Sequence, residues 1–158
     1  MRRELRERVR ASFGARRAYC GVSENSTGSS LTVDHFRPRS QGGTDDEENL
    51  VSCCHGCNEF KSDYWPRAEE LRLINPRTDD MSLFLREGED GVLVPLHPRG
   101  ETHIERLHLN RPPAVARRLQ EKRYVLLQSE LEEARARLEE AEWRAHQITA
   151  ALEAKRQN

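Results

Sequence analysis

Residues 33–61 read VDHFRPRSQGGTDDEENLVSCCHGCNEFK, and the order of side chains in this stretch decides the fold. An Asp34-His35 pair precedes a turn-rich loop with Gly42-Gly43 at its tip and an acidic run from Asp45 to Glu48. Asn49 then follows, and after it Cys53, Cys54 and Cys57, with Asn58 and Lys61 closing the stretch. No packing rule asks for that order. Leu31 to His35 alternates apolar and polar residues as a short strand does, and Leu50 to Ser52 is short and apolar enough to pair with it. A helix is expected to start near His55 and run through Lys61.

The residue types define the chemistry this unit can carry. An imidazole at the end of a strand, here His35, can take a proton from water near neutral pH. Asp34 points to the opposite side of the strand and offers a hard oxygen suited to Mg²⁺ or Mn²⁺. Asn58, on the helix, can add a carbonyl oxygen to the same ion, which leaves positions for water and a phosphate. Asn49 can bond backbone across the loop or orient the His35 ring. Lys61, one turn after Asn58, could reach a phosphate.

The order and spacing resemble the HNH endonucleases, with their ββα-metal fold, including the HNH nuclease domain of RNA-guided CRISPR effectors. The resemblance covers about residues 16–66 and rests on VDHFRPRS, the GG loop, NLV and CHGCNEFKSD. A weaker similarity, through LINPRTDD, the later hairpin and LHLNRP, is to the C-terminal extension of many bacterial HNH proteins. The resemblance implies that His35 is the general base and that Asp34 and Asn58 ligate the catalytic ion. It implies further that Asn49 positions the site and that Lys61 is a supporting phosphate or transition-state contact.

Many members of that family hold a structural zinc with two Cys-x-x-Cys pairs. Here Cys54 and Cys57 form one pair, but the other is reduced to Cys20, with Arg17 where its first Cys would stand. A closed tetrahedral zinc site needs four ligands. Zinc held by Cys20, Cys54 and Cys57 plus water or a His, and a zinc-free knuckle with Arg17 paired to a thiolate, both remain open. Cys53 is a spare thiol beside a neighbour that already points toward the knuckle.

The flanks set the context. The chain has 158 residues, 35% hydrophobic and 34% charged, which suggests a small core plus a solvated element. Three of its four cysteines lie within five residues, poor spacing for a disulfide framework and good spacing for a metal knuckle. No run approaches the ~18 apolar residues that a membrane span needs. MRRELRERVR lacks the apolar stretch of a secretory signal, so a cytoplasmic protein is expected. The net charge is −1, yet residues 1–17 hold seven Arg against Glu4 and Glu7, a basic patch that can meet phosphates.

Leu5, Val9 and Phe13 predict a helix over 2–13 that Gly14 stops, and SENSTGSS at 23–30 reads as loop. SLFLRE and VLVPLH around the turn GEDG predict a second hairpin, and residues 100–108 a short helix. From Ala114 onward there is no Gly or Pro. Tyr124, Leu127, Leu131, Ala134, Leu138, Ala141, Ala145, Ile148 and Leu152 recur at alternating spacings of 3 and 4. That is a heptad seam.

The expected fold class is therefore α+β: a ββα-metal (HNH) nuclease core with a second small hairpin and a long, coiled-coil-like C-terminal helix. Four segments are expected: a basic N-terminal helix (1–15), the HNH core (16–66), an extension with the hairpin (67–111) and an assembly helix (112–158). The expected function is divalent-metal-dependent hydrolysis of DNA phosphodiesters, as the nuclease subunit of a phage-defence or mobile-element complex. Its partners would be DNA and either a second copy or another protein, such as an ATPase, met through the helix. The competing readings are a knuckle-based binding or assembly module that has lost catalysis, and an RNA-cutting toxin of the same fold.

Overall fold

The computed structural model describes residues 3–14, 16–21 and 31–156. The loop expected at 23–30 and the first residue of the expected N-terminal helix lie outside the described residues. The elements run α1 (Arg3–Ser12), β1 (Thr32–His35), β2 (Leu50–Cys53), α2 (His55–Lys61), β3 (Leu85–Glu87), β4 (Leu93–Pro95), α3 (Pro98–Arg106) and α4 (Pro112–Arg156). Short 3₁₀ turns punctuate the connections. The architecture is α+β, with a ββα core and a long C-terminal helix.

α1 buries Val9 completely and ends at Gly14, whose φ of 56° suits a residue without a side chain. β1 and β2 pair antiparallel, with His35 opposite Leu50 and Asp34 opposite Val51. All four residues of β2 are buried, so this strand is the floor on which β1 and α1 rest, while α2 packs against β1. α2 begins as the knuckle predicts. Cys54 caps it, its Sγ accepting the Cys57 amide at 3.3 Å.

One core serves both the ββα segment and the residues after it. Tyr19, Phe36, Val51, Cys53 and Cys57 share a buried cluster with Leu73, Leu93, Ile104, Leu107 and Leu109. Each fully buried Leu contributes about 1.5–3 kcal/mol relative to exposure, so the extension is a structural half of the unit. Buried polar groups stitch the halves together. The Ile74 amide donates to His103 Nδ1 at 3.2 Å, and the opposite ring nitrogen lies 3.2 Å from the Tyr19 carbonyl. Asn110 exchanges two 2.8 Å bonds with the backbone of Leu93 and so fixes β4.

The second hairpin is shorter than its sequence suggests. Asp80 caps a 3₁₀ turn at Met81–Leu83 by accepting from the Ser82 amide, and this turn takes up the first half of SLFLRE. α3 starts at Pro98, two residues before the expected 100. Proline suits a first turn, and His97 Nδ1 caps it by accepting from the Arg99 amide at 3.1 Å.

The chain divides into two compact units, Met1–Leu119 and Gln120–Asn158. The first turns of α4 belong to the first unit. Ala114 is buried there, and buried Arg118 donates to the carbonyls of Gly91 (2.6 Å) and Leu109 (2.9 Å). The second unit is helix throughout its described length, and Tyr124, Leu127, Leu131, Leu138, Ile148 and Leu152 are each between 45% and 63% exposed.

Candidate active site

β1 delivers two neighbouring residues to opposite sides, as the pleat requires. Asp34 turns inward. Its Oδ2 accepts from the Tyr19 hydroxyl at 2.8 Å and lies 3.0 Å from Lys61 Nζ. Burial first, and then the charge of Asp34, push the Tyr19 hydroxyl well above its ordinary pKa, so it stays a donor. Both contacts fall on the same oxygen, and among the described residues Oδ1 has no hydrogen-bond partner.

Lys61 is 1% exposed, and its ammonium also donates to the His35 carbonyl at 2.7 Å. These two contacts turn the Lys61 ammonium inward, where the resemblance implied a supporting phosphate or transition-state contact. Lys61 closes the last turn of α2, and its long side chain ends inside the unit, where it fixes the backbone of His35 and the carboxylate of Asp34 together.

His35 turns the other way. Its Nε2 lies 2.7 Å from Asp45 Oδ1, and Asp45 is gripped in turn by the Arg39 guanidinium. Hydrogen bonds from Arg39 first and His35 second hold the Asp45 carboxyl down at about 2. An ionised carboxylate only accepts, so the Asp45 contact calls for the proton on Nε2. The Arg39 Nε–H, 3.3 Å away, takes the same nitrogen as acceptor, and the shorter Asp45 contact is the one the ring orientation serves. In the tautomer that the Asp45 contact calls for, Nδ1 is the nitrogen with the free lone pair. Sequence reasoning took Asp45 for part of the acidic run in the loop and missed its pairing, together with the roles of Arg39 and Tyr19. Asp45 stands ten residues from His35, and only closure of the loop reveals the pairing.

Asn49 performs that closure. Its Oδ1 accepts from the Arg37 amide at 2.8 Å, while Nδ2 donates to the carbonyls of Arg37 (3.0 Å) and Thr44 (2.8 Å). Of its two expected roles, bonding backbone across the loop is the one seen. No contact joins it to the His35 ring. Gly43 is required beneath it, because a Cβ there would sit 1.8 Å from the Arg37 carbonyl oxygen. Asn58 is partly exposed on α2, and no hydrogen bond links it to Asp34.

The cysteines form a separate cluster. The sulfurs of Cys20, Cys54 and Cys57 all lie within 4.8 Å of one another and are buried. Corners of a zinc tetrahedron with ~2.3 Å bonds stand about 3.8 Å apart, so the triad fits three corners of such a site. Hydrogen bonds from Cys20 and Cys57, then the nearby Arg17 charge, favour the thiolate at Cys54, whereas the Cys57 thiol is pushed up. Arg17 is buried and lines a cavity of about 240 Å³ with Cys20, Cys54, His55, Arg111 and Arg117. No fourth ligand joins the triad among the described residues. Cys53 lies apart from it, buried in β2.

Residues 18–63 match the family model described as HNH endonuclease. This segment is an HNH domain. The match begins beside Tyr19 and ends just after Lys61, so the HNH domain encloses every residue of the Asp34–Lys61–His35 network. No curated protein and no solved structure matches the chain. An HNH domain implies nuclease-type chemistry, and the triad can hold a metal such as zinc. Among the described residues no helix is long and apolar enough to cross a membrane.

Proposed function

We propose that the protein is a divalent-metal-dependent endonuclease that hydrolyses DNA phosphodiester bonds. The observation that carries this reading is the fixed imidazole of His35. Asp45 orients the ring through Nε2 and leaves Nδ1 as proton acceptor, while Lys61 anchors the same residue's carbonyl at 2.7 Å. A base held at both its ring and its backbone can take the proton of an attacking water without further rearrangement.

Asp34 and Asn58 are the residues that would hold the catalytic cation. The chemistry of the donors fits a hard ion: a carboxylate with one oxygen unbonded among the described residues, and an amide on the adjoining helix. When bound, Mg²⁺ or Mn²⁺ would polarise the scissile phosphate. The Lys61 ammonium and the Tyr19 hydroxyl position the Asp34 carboxylate. Exposed arginines of α1, such as Arg6 and Arg10, supply basic charge for the phosphate backbone. The seam of α4 serves assembly, because an apolar stripe of that length needs cover.

Purified protein incubated with plasmid DNA and Mg²⁺ or Mn²⁺ tests the reading, with EDTA and His35→Ala as controls and single-stranded RNA as a parallel substrate. Cleavage that needs both metal and His35 is the expected result. Cleavage of RNA alone overturns the DNA assignment, and full activity of the His35→Ala protein overturns the site.

A further inference from the structure

We propose that α4 pairs with α4 of a second copy of this chain as a parallel, in-register coiled coil, and that the pair cuts both strands of one duplex. The inference rests on the nuclease reading for its second half only. Its basis is the charge written beside the seam. With Tyr124, Leu131, Leu138, Ala145 and Leu152 as a positions, and Leu127, Ala134, Ala141 and Ile148 as d positions, the flanking rows are fixed. The g row is Arg123, Glu130, Arg137 and Arg144, and the e row is Gln128, Arg135, Glu142 and Thr149.

In a parallel two-stranded coil each g residue meets the e residue five positions later on the partner helix. Glu130 then meets Arg135, and Arg137 meets Glu142. Two-fold symmetry makes each attraction twice, and the remaining pairs, Arg123 with Gln128 and Arg144 with Thr149, are neutral. The surface is complementary to itself. A slip of one heptad gives the same complex in either direction for identical chains. It sets Arg123 on Arg135 and Glu130 on Glu142 along one flank and Arg137 on Arg135 along the other, against one attraction, Arg144 with Glu142. An antiparallel pair sets the g row against itself, and with three Arg to one Glu some Arg must always face another. Charge thus selects the second copy, the direction and the register.

The structure leaves these groups ready for the exchange. The apolar a and d side chains from Tyr124 to Leu152 lie in solvent, with Leu138 at 59% and Ile148 at 62% exposed. Among the described residues Arg137 makes only an exposed 3.0 Å pair with Glu133, four residues earlier on its own helix, a contact weak enough to release. Ala134, Ala141 and Ala145 let the helices approach closely at the centre, while larger side chains fill the layers on either side. Parallel pairing tethers two HNH domains at the same end of the coil. A duplex presents two antiparallel strands, each needing its own cut, and two tethered sites meet that need.

Two full-length variants test the arrangement. One carries Glu130→Arg with Arg137→Glu, and the other Arg135→Glu with Glu142→Arg. Each alone faces four like-charge contacts in the proposed register, whereas their mixture restores four attractions. Light scattering is expected to find a wild-type dimer, each variant shifted toward monomer by at least tenfold in dissociation constant, and a 1:1 dimer in the mixture. A monomeric wild type, or variants that dimerise alone as well as wild type, overturns the pairing.

The mixture is then assayed on supercoiled plasmid with His35→Ala placed in one chain. Two intact chains are expected to give linear product early, and one intact chain only nicked circles. Equal linear product from both mixtures overturns paired cutting. Absence of cleavage by every protein overturns the nuclease reading and paired cutting with it, while the scattering result still decides the pairing.

Discussion

In the unit Met1–Leu119 several buried polar side chains are answered from within the chain, whereas along Gln120–Asn158 the apolar seam is not. Lys61 finds Asp34 and a carbonyl, His103 finds an amide and a carbonyl, and Asn110 pairs twice with Leu93. The seam of the second unit offers apolar groups of similar size and leaves them in water. The difference separates two uses of sequence. One unit spends its unusual residues on arranging a site, the other on recognising a partner. Substitutions in the first should therefore change chemistry or folding and leave association untouched.

The largest effect expected on that side is at His35. His35→Ala should lower cleavage by about 10²–10⁴-fold, since a general base contributes on that scale. Light scattering on the same sample should show the wild-type mass. Lys61→Met is expected to lower stability by about 3–5 kcal/mol, because it leaves the Asp34 carboxylate buried without its cation. Urea denaturation of the first unit's tryptophan, Trp65, would measure it. A midpoint equal to wild type would show that Lys61 is not the anchor its 1% exposure implies.

A pH titration sharpens the contrast next. Burial lowers His103 from 6.5 to about 4, so the fold prefers the neutral ring. Its contribution is therefore full above about pH 6.5 and is lost as pH falls toward 4, by about 3 kcal/mol in all. Denaturant midpoints across that range should follow this slope, and His103→Leu should flatten it. The smallest effect is expected at Asp45, an exposed carboxylate that acts only through His35. Asp45→Ala should lower the cleavage rate by less than the roughly 10²–10⁴-fold expected of His35→Ala, because the base itself remains. Ring ¹⁵N shifts should show His35 losing its preference for a protonated Nε2. An unchanged tautomer would leave the loop without a hold on the ring.

How much of this was legible beforehand follows from the range of the forces involved. The strands at 31–35 and 50–52 and the helix at His55–Lys61 rest on local alternation and capping, and the residues themselves announce them. The same holds for the seam of α4, whose heptads repeat without interruption. The inward contacts of Lys61 were not legible, because sequence spacing places it beside Asn58 but cannot say which face of α2 meets β1. Tyr19 and His103 were silent for a related reason. They act across 15 and 84 residues, on Asp34 and on the Tyr19 carbonyl respectively, and no periodicity spans such gaps. Arg17 was read at the knuckle from the missing cysteine alone, and it does line the cavity beside Cys20 and Cys54.

The burial of Lys61 has an experimental use of its own. The chain contains three lysines, Lys61, Lys122 and Lys155. An amine-reactive acylating reagent should modify exposed Lys155 within its intrinsic reaction time. The Lys61 amine can react only when α2 lifts from β1, so its labelling rate reports the frequency of that opening. Mass spectrometry of the Lys61 peptide against the Lys155 peptide then gives a clock for the breathing of this domain, read within a single chain and without any added probe site.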